Sequence, residues 1–143
     1  MRTIKFRGKF VYANPDGSLK WVYGDFGHSV VPGKAVINEI IPYNEGDFIA
    51  HTEVLIGTIG QFTGVHDKNG VEIYEGDIIR AYDSKNNAIL HQIYYLEKDA
   101  RFATKLIGYD ELSEGELTQK WVNEIGFEVI GNIFDNPELI KND

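Results

Sequence analysis

Residues 57–80, GTIGQFTGVHDKNGVEIYEGDIIR, constrain the fold more than any other part of this chain. Asp67-Lys68-Asn69-Gly70 suits a type I turn whose glycine takes the left-handed position and forms a bulge, a common hairpin connection. A few residues on, Gly76 permits a sharp bend before the strand that begins at Asp77, whose carboxylate suits it to bond backbone N–H groups and fix that bend. No reactive centre accompanies these turns. Hairpins punctuated by glycine in this way point to antiparallel strands.

The flanking sequence has the same character. Near the start, Ile4, Phe6, Phe10 and Tyr12 share one parity and Lys5, Arg7 and Lys9 the other, so a strand here sets a short basic stripe against an apolar row. Gly8 interrupts that row and marks a bulge or a close backbone approach. Asn14-Pro15-Asp16-Gly17 is a turn signal, and Leu19 to Phe26 completes an N-terminal hairpin. Gly27 to Lys34 reads as a loop, Val36 to Ile41 as a short strand and Tyr43 to Asp47 as a connection. Phe48 to Ile56 is β-like, and Gly57, Gly60 and Gly64 then suggest an irregular crossover.

Ala88 to Glu97 and Arg101 to Ile107 form a second hairpin across Lys98-Asp99. Between Gly108 and Lys120, Ser113 and Glu116 have capping-box spacing while Gly115 opposes a helix, so the segment is a short helix or an exposed loop. Phe127 to Phe134 is a last strand, and Asn136-Pro137 starts a terminal helical turn. Many short strands with little helix imply an antiparallel sheet that curls to limit its edges, so a small barrel is expected. The domain reading is one compact β-rich domain over 1–143, with hairpin and extension in 1–50 and the barrel part in 51–143.

Composition narrows function. A chain of 143 residues with 43% hydrophobic and 13% aromatic content can bury a substantial core. Cysteine is absent, which excludes disulfides, thiol nucleophiles and cysteine-based zinc sites. No apolar run approaches the roughly 20 residues of a membrane span, and the N-terminus carries charges instead of an apolar leader, so a cytoplasmic protein without a membrane partner is expected. The net charge of −8 disfavours nonspecific duplex binding. Its distribution is uneven, with Arg2, Lys5, Arg7, Lys9 and Lys20 against Asp16 alone in the first twenty residues.

Each chemical constellation has a simpler reading beside it. Gly57, Gly60 and Gly64 have neither dinucleotide-binding nor P-loop spacing, and backbone geometry explains them better. Gly27-His28-Ser29-Val30-Val31 lacks the final glycine of a nucleophile elbow. His28, His51, His66 and His91 are too dispersed for a ready metal site, and Asp67-Lys68-Asn69-Gly70 lacks the ligand ladder of a calcium loop. Glu72, Glu75 and Asp77 are the candidates for paired catalytic carboxylates, against the view that they serve a solvent-facing turn. Trp21, Tyr23, Tyr94, Tyr95 and Phe102 could stack bases, although aromatics at strand spacing ordinarily pack cores.

Lys5-Phe6-Arg7-Gly8-Lys9, Trp21-Val22-Tyr23-Gly24, Gly60-Gln61-Phe62-Thr63-Gly64, Asp67-Lys68-Asn69-Gly70, Tyr74-Glu75-Gly76-Asp77-Ile78 and Val129-Ile130-Gly131-Asn132 occur in an order that resembles the YopX family. The resemblance implies a phage or prophage protein of unestablished activity whose C-terminal part is an SH3-like barrel. It carries no catalytic residue, cofactor or substrate. His66 stands where such sequences are expected to have lysine or another simple polar residue, and 108–120 matches no word of the family.

The expectation is therefore a mainly β, noncatalytic accessory module that binds a protein partner or its own copies, with no cofactor or metal. Gly17, Gly70, Gly76 and Asp77 are its structural turn residues, and Lys5, Arg7 and Lys9 are its interaction stripe. The alternatives are a nucleic-acid-linked role, through single-strand binding or acidic DNA mimicry, and an enzyme using Glu72, Glu75 and Asp77.

Overall fold

The computed structural model describes residues 2–30, 36–42, 51–109 and 114–140. They form a mainly β protein with one short α-helix. The chain divides into two compact units, Met1–Phe62 and Thr63–Asp143, so the internal boundary lies beyond residue 50 and falls inside a strand.

In unit 1, β1 (Phe6–Ala13), β2 (Leu19–Val30) and β3 (Val36–Pro42) are consecutive antiparallel neighbours. The Asn14–Gly17 turn joins the first two, with Gly17 at φ +86°. Asp16 fixes this turn by accepting from the Ser18 hydroxyl at 2.6 Å and the Ser18 N–H at 2.9 Å. The Ser18 hydroxyl, ahead of the backbone bond, holds the Asp16 carboxyl below its ordinary pKa.

Gly27 to Val30 do not form the expected loop. They continue β2 in register with β3, from Gly27 opposite Glu39 to Val30 opposite Val36. Cross-strand pairing satisfies backbone groups that glycine and serine propensities alone would leave to a loop. Residues 31–34 and 43–47 lie outside the described residues.

The short β4 (Thr52–Glu53) pairs with β3, after which Val54 donates its N–H to Asn38 and Leu55 donates its N–H to Lys9. This segment thus reaches from β3 to β1 and makes the sheet curl. Buried Ile40 and Val54 lie within unit 1, and a Cβ on Gly8 would come within 2.9 Å of Val54 Cγ2. Gly8 therefore marks the close approach expected of it. The glycine-rich crossover is more regular than its composition suggests: after a 3₁₀ turn at Ile56–Thr58, β5 (Gly60–His66) begins, and its first residues pair with Phe6 and Arg7.

Unit 2 contains β6 (Glu72–Tyr74), β7 (Asp77–Tyr82), β8 (Ala88–Leu96), β9 (Arg101–Leu106), β10 (Glu114–Glu116) and β11 (Glu128–Asn132). Five of these make an antiparallel sheet in the order β10-β9-β8-β7-β11. The mainly β, antiparallel fold is as expected, and the barrel-like C-terminal sheet is not closed: β10 and β11 stand at opposite ends without pairing to each other.

Helix α1 (Gln119–Ile125) precedes β11. Its N-cap is Thr118, which accepts the Trp121 N–H at 3.1 Å, and Gly126 ends it at φ +86°. Of the Ser113/Glu116 capping-box pair, Glu116 is in β10, and Ser113 lies outside the described residues. A Cβ at Gly115 would lie 2.7 Å from Thr104 Oγ1, so glycine lets β10 approach β9 at that point. Leu117 and Trp121 pack against a core of Val65, Ile73, Ile79, Ile93, Val122 and Phe127.

Gly70 and Gly76 both adopt left-handed backbone, at φ +82° and +88°. A Cβ on Gly70 meets open space, whereas one on Gly76 would stand 3.1 Å from Phe134 Cε2. Gly70→Val is expected to cost about 1–2 kcal/mol from backbone strain, and Gly76→Val measurably more because the aromatic neighbour must also move. Urea unfolding of both variants checks this ordering, and equal losses would contradict it.

Candidate interaction surface

The hairpin of unit 1 builds an open depression on that unit. Antiparallel register and strand alternation place Phe10 on one strand near Lys20 and Val22 on the next, while Pro42 and Thr52 close the other side. Together with Trp21 and Tyr23, these residues line a depression of about 520 Å³. Tyr12 is 70% exposed and meets the Phe10 ring edge-on, with centroids 5.4 Å apart. The walls are thus largely apolar, Thr52 supplies a hydroxyl, and Lys20 supplies the charge.

The expected basic stripe is different from a solvated row. Arg7 is only 5% exposed, and its guanidinium lies 4.4 Å from the Trp21 ring centroid, with Lys9 Nζ 5.2 Å from the same centroid. Lys5 and Lys9 are half-buried. A weakly hydrated planar cation stacks on indole and buries its stem, so the sign of charge did not fix the side chain's exposure.

The acidic candidates separate by environment. Asp77 is 2% exposed, and its Oδ2 accepts the Tyr74 N–H at 2.8 Å, across the Gly76 bend. That corrects the solvent-facing view of the turn for Asp77 while retaining its expected bonding to backbone. Glu72 and Glu75 are half-buried on the approach to the same bend.

Sequence reasoning saw Asp67 only as the start of a turn. Its buried carboxylate accepts from Asn69 N–H and Val71 N–H through Oδ1, and from Val129 N–H through Oδ2 at 2.9 Å. The Asx-turn signal was legible in the sequence; the bond to a strand 62 positions away was not. Asn136 Oδ1 similarly accepts the Asn132 N–H. Side chains thereby occupy backbone donors along β11, an edge strand, and blunt its capacity to pair with another chain. At the opposite edge, β10 is three residues long and carries exposed Glu114 and Glu116.

The remaining candidate chemistry is dispersed. Gly27, His28 and Ser29 lie within β2, not at a strand-to-helix elbow. Gly60 is paired in β5 and Gly64 has φ +84°, so neither belongs to a loop opening a helix. His51 meets Glu39 at 3.1 Å, and His66 exchanges backbone bonds with the Gln119 side chain. Among the described residues, no three His, Cys, Asp or Glu side chains are grouped to hold a metal. No helix of the described residues is long and apolar enough to cross a membrane. Tyr95 and Phe102 pack edge-on across β8 and β9 at 5.5 Å.

His91 lies edge-on to both Trp121 and Phe127, at 5.2 and 5.3 Å, and its buried Nδ1 has no hydrogen-bond partner. Burial lowers its pKa from the ordinary value of 6.5. The unfolded chain therefore takes up this proton first, so the stabilisation present above pH 6.5 is lost as pH falls through the folded-state value. His91→Phe is expected to flatten that part of the pH dependence. Melting temperatures between pH 8 and 5 test it, and the same acid loss in the variant would assign the effect elsewhere.

The geometry defines a small all-β protein with two antiparallel units, an apolar groove and polar groups committed largely to turns. The family model described as YopX protein matches residues 22–141, and the chain belongs to the YopX family. Among solved structures it is similar to protein EF1440 from Enterococcus faecalis, at 28% identity and a TM-score of 0.50, over 99% of this chain and 100% of that one. No curated protein matches the chain.

Proposed function

We propose that this protein is a noncatalytic protein-binding module that works through the groove face of unit 1. The observation that carries this reading is the groove of about 520 Å³, walled by Phe10, Val22 and Pro42 and flanked by exposed Tyr12. Exposed apolar surface of this kind suits protein contact. The blunted edges of β10 and β11 favour contact through side chains over strand addition to unit 2. The family resemblance supports a phage or prophage accessory role in a bacterial cytoplasm.

Capture from a bacterial lysate on the immobilised chain, followed by calorimetry with the purified partner, tests the reading. Val22→Asp is expected to weaken that binding by at least about tenfold while retaining a cooperative melt. Binding indifferent to Val22→Asp would remove the groove from the proposal. Light scattering distinguishes a foreign partner from a second copy, which would associate without any lysate protein.

Acidic DNA mimicry has one supporting observation. Unit 1 holds six basic and six acidic residues and unit 2 eight and sixteen, so the whole net charge of −8 belongs to unit 2. Salt-sensitive competition with duplex DNA for a basic protein would support that second reading.

A further inference from the structure

We propose that the groove in unit 1 receives an extended peptide segment in which an apolar side chain stands beside a carboxylate. This rests on the protein-binding reading and specifies what the partner presents. In the stretch that lines the groove, β2 is paired with β1, and its pairing with β3 starts at Gly24 opposite Pro42. Its backbone is engaged on the β1 side, and the proposed recognition comes through side chains that enter the groove.

Phe10, Val22 and Pro42 provide the apolar surface against which such a side chain packs. Among the described residues, Lys20 is the charged residue that lines the groove; it is exposed and has no ion-pair partner among them. Its ammonium is a compact donor on a flexible stem, able to reach a carboxylate at the rim. Thr52 adds a hydroxyl that can donate to the same anion. A pair formed beside low-dielectric walls is screened less than one in open water. The combination of apolar contact and a single cation selects an acidic–apolar segment over an uncharged one.

Fluorescence polarisation with three labelled hexapeptides tests this assignment: leucine followed by glutamate, the same peptide with glutamine, and the same with lysine. The glutamate peptide is expected to bind at least about tenfold more tightly than the glutamine peptide, with the preference shrinking as salt rises. Lys20→Glu, an exposed change, should reverse the order and favour the lysine peptide. Replacing leucine by serine should abolish binding.

Equal binding of the glutamate and glutamine peptides, or an order unchanged by Lys20→Glu, would overturn the proposal. Preferential binding of labelled oligothymidine would also overturn it. If no peptide binds while a purified partner remains sensitive to Val22→Asp, the segment chemistry is wrong and the protein-binding reading stands. If the purified partner is also insensitive, both fail.

Discussion

Asp67→Ala is expected to lower unfolding free energy by about 3 kcal/mol, because three backbone donors lose the one buried carboxylate that accepts them. Two donors, Asn69 and Val71, belong to the local turn, while the third, Val129, belongs to β11. Asp67→Asn separates these contributions. Its amide oxygen can still serve the local pair, but its NH₂ group would face the Val129 N–H, donor against donor. The expected order is therefore wild type above Asn, and Asn above Ala, in urea unfolding. A loss below about 1 kcal/mol for alanine would show that water replaces the carboxylate at little cost.

Phe127→Ala is expected to cost about 3–5 kcal/mol, the usual range for emptying an aromatic position in a core. Phe127 is 1% exposed, lies 4.5 Å from the Trp121 ring centroid and 5.3 Å from that of His91, and immediately precedes β11. The cavity would remove contact from α1 and the sheet together. Phe127→Leu, which keeps most of the apolar contact, should lose less. Trp121 reports the change, so tryptophan fluorescence during denaturant unfolding measures both variants. Comparable losses for leucine and alanine would mean that ring geometry, not filled volume, governs this part of the core.

The groove and the core differ in how much of them could be read from the sequence. Phe10 and Val22 declared themselves as apolar strand residues, but nothing in their spacing said that Pro42 and Thr52 would meet them around a concavity. Trp21 was read against base stacking, yet its neighbours in the fold are Arg7 and Lys9. The basic stripe failed as an inference about exposure because strand alternation fixes relative faces and leaves open what covers each face.

Local chemistry by itself determined the mainly antiparallel character and several of its turns. Asn14–Gly17, Asp67–Gly70 and the bend at Gly76 depend on backbone preferences that act within a few residues, and Gly17, Gly70 and Gly76 take positive φ accordingly. Tertiary structure decided the extension of β2 through Gly27 to Val30, since β3 supplies its backbone partners. It also decided that β10 replaces part of the expected helix or loop, that Thr118 caps α1, and that the C-terminal sheet remains open. These outcomes depend on which distant groups meet. Short-range torsional preference restricts that choice, and the pairing of separated strands together with the burial of their side chains completes it.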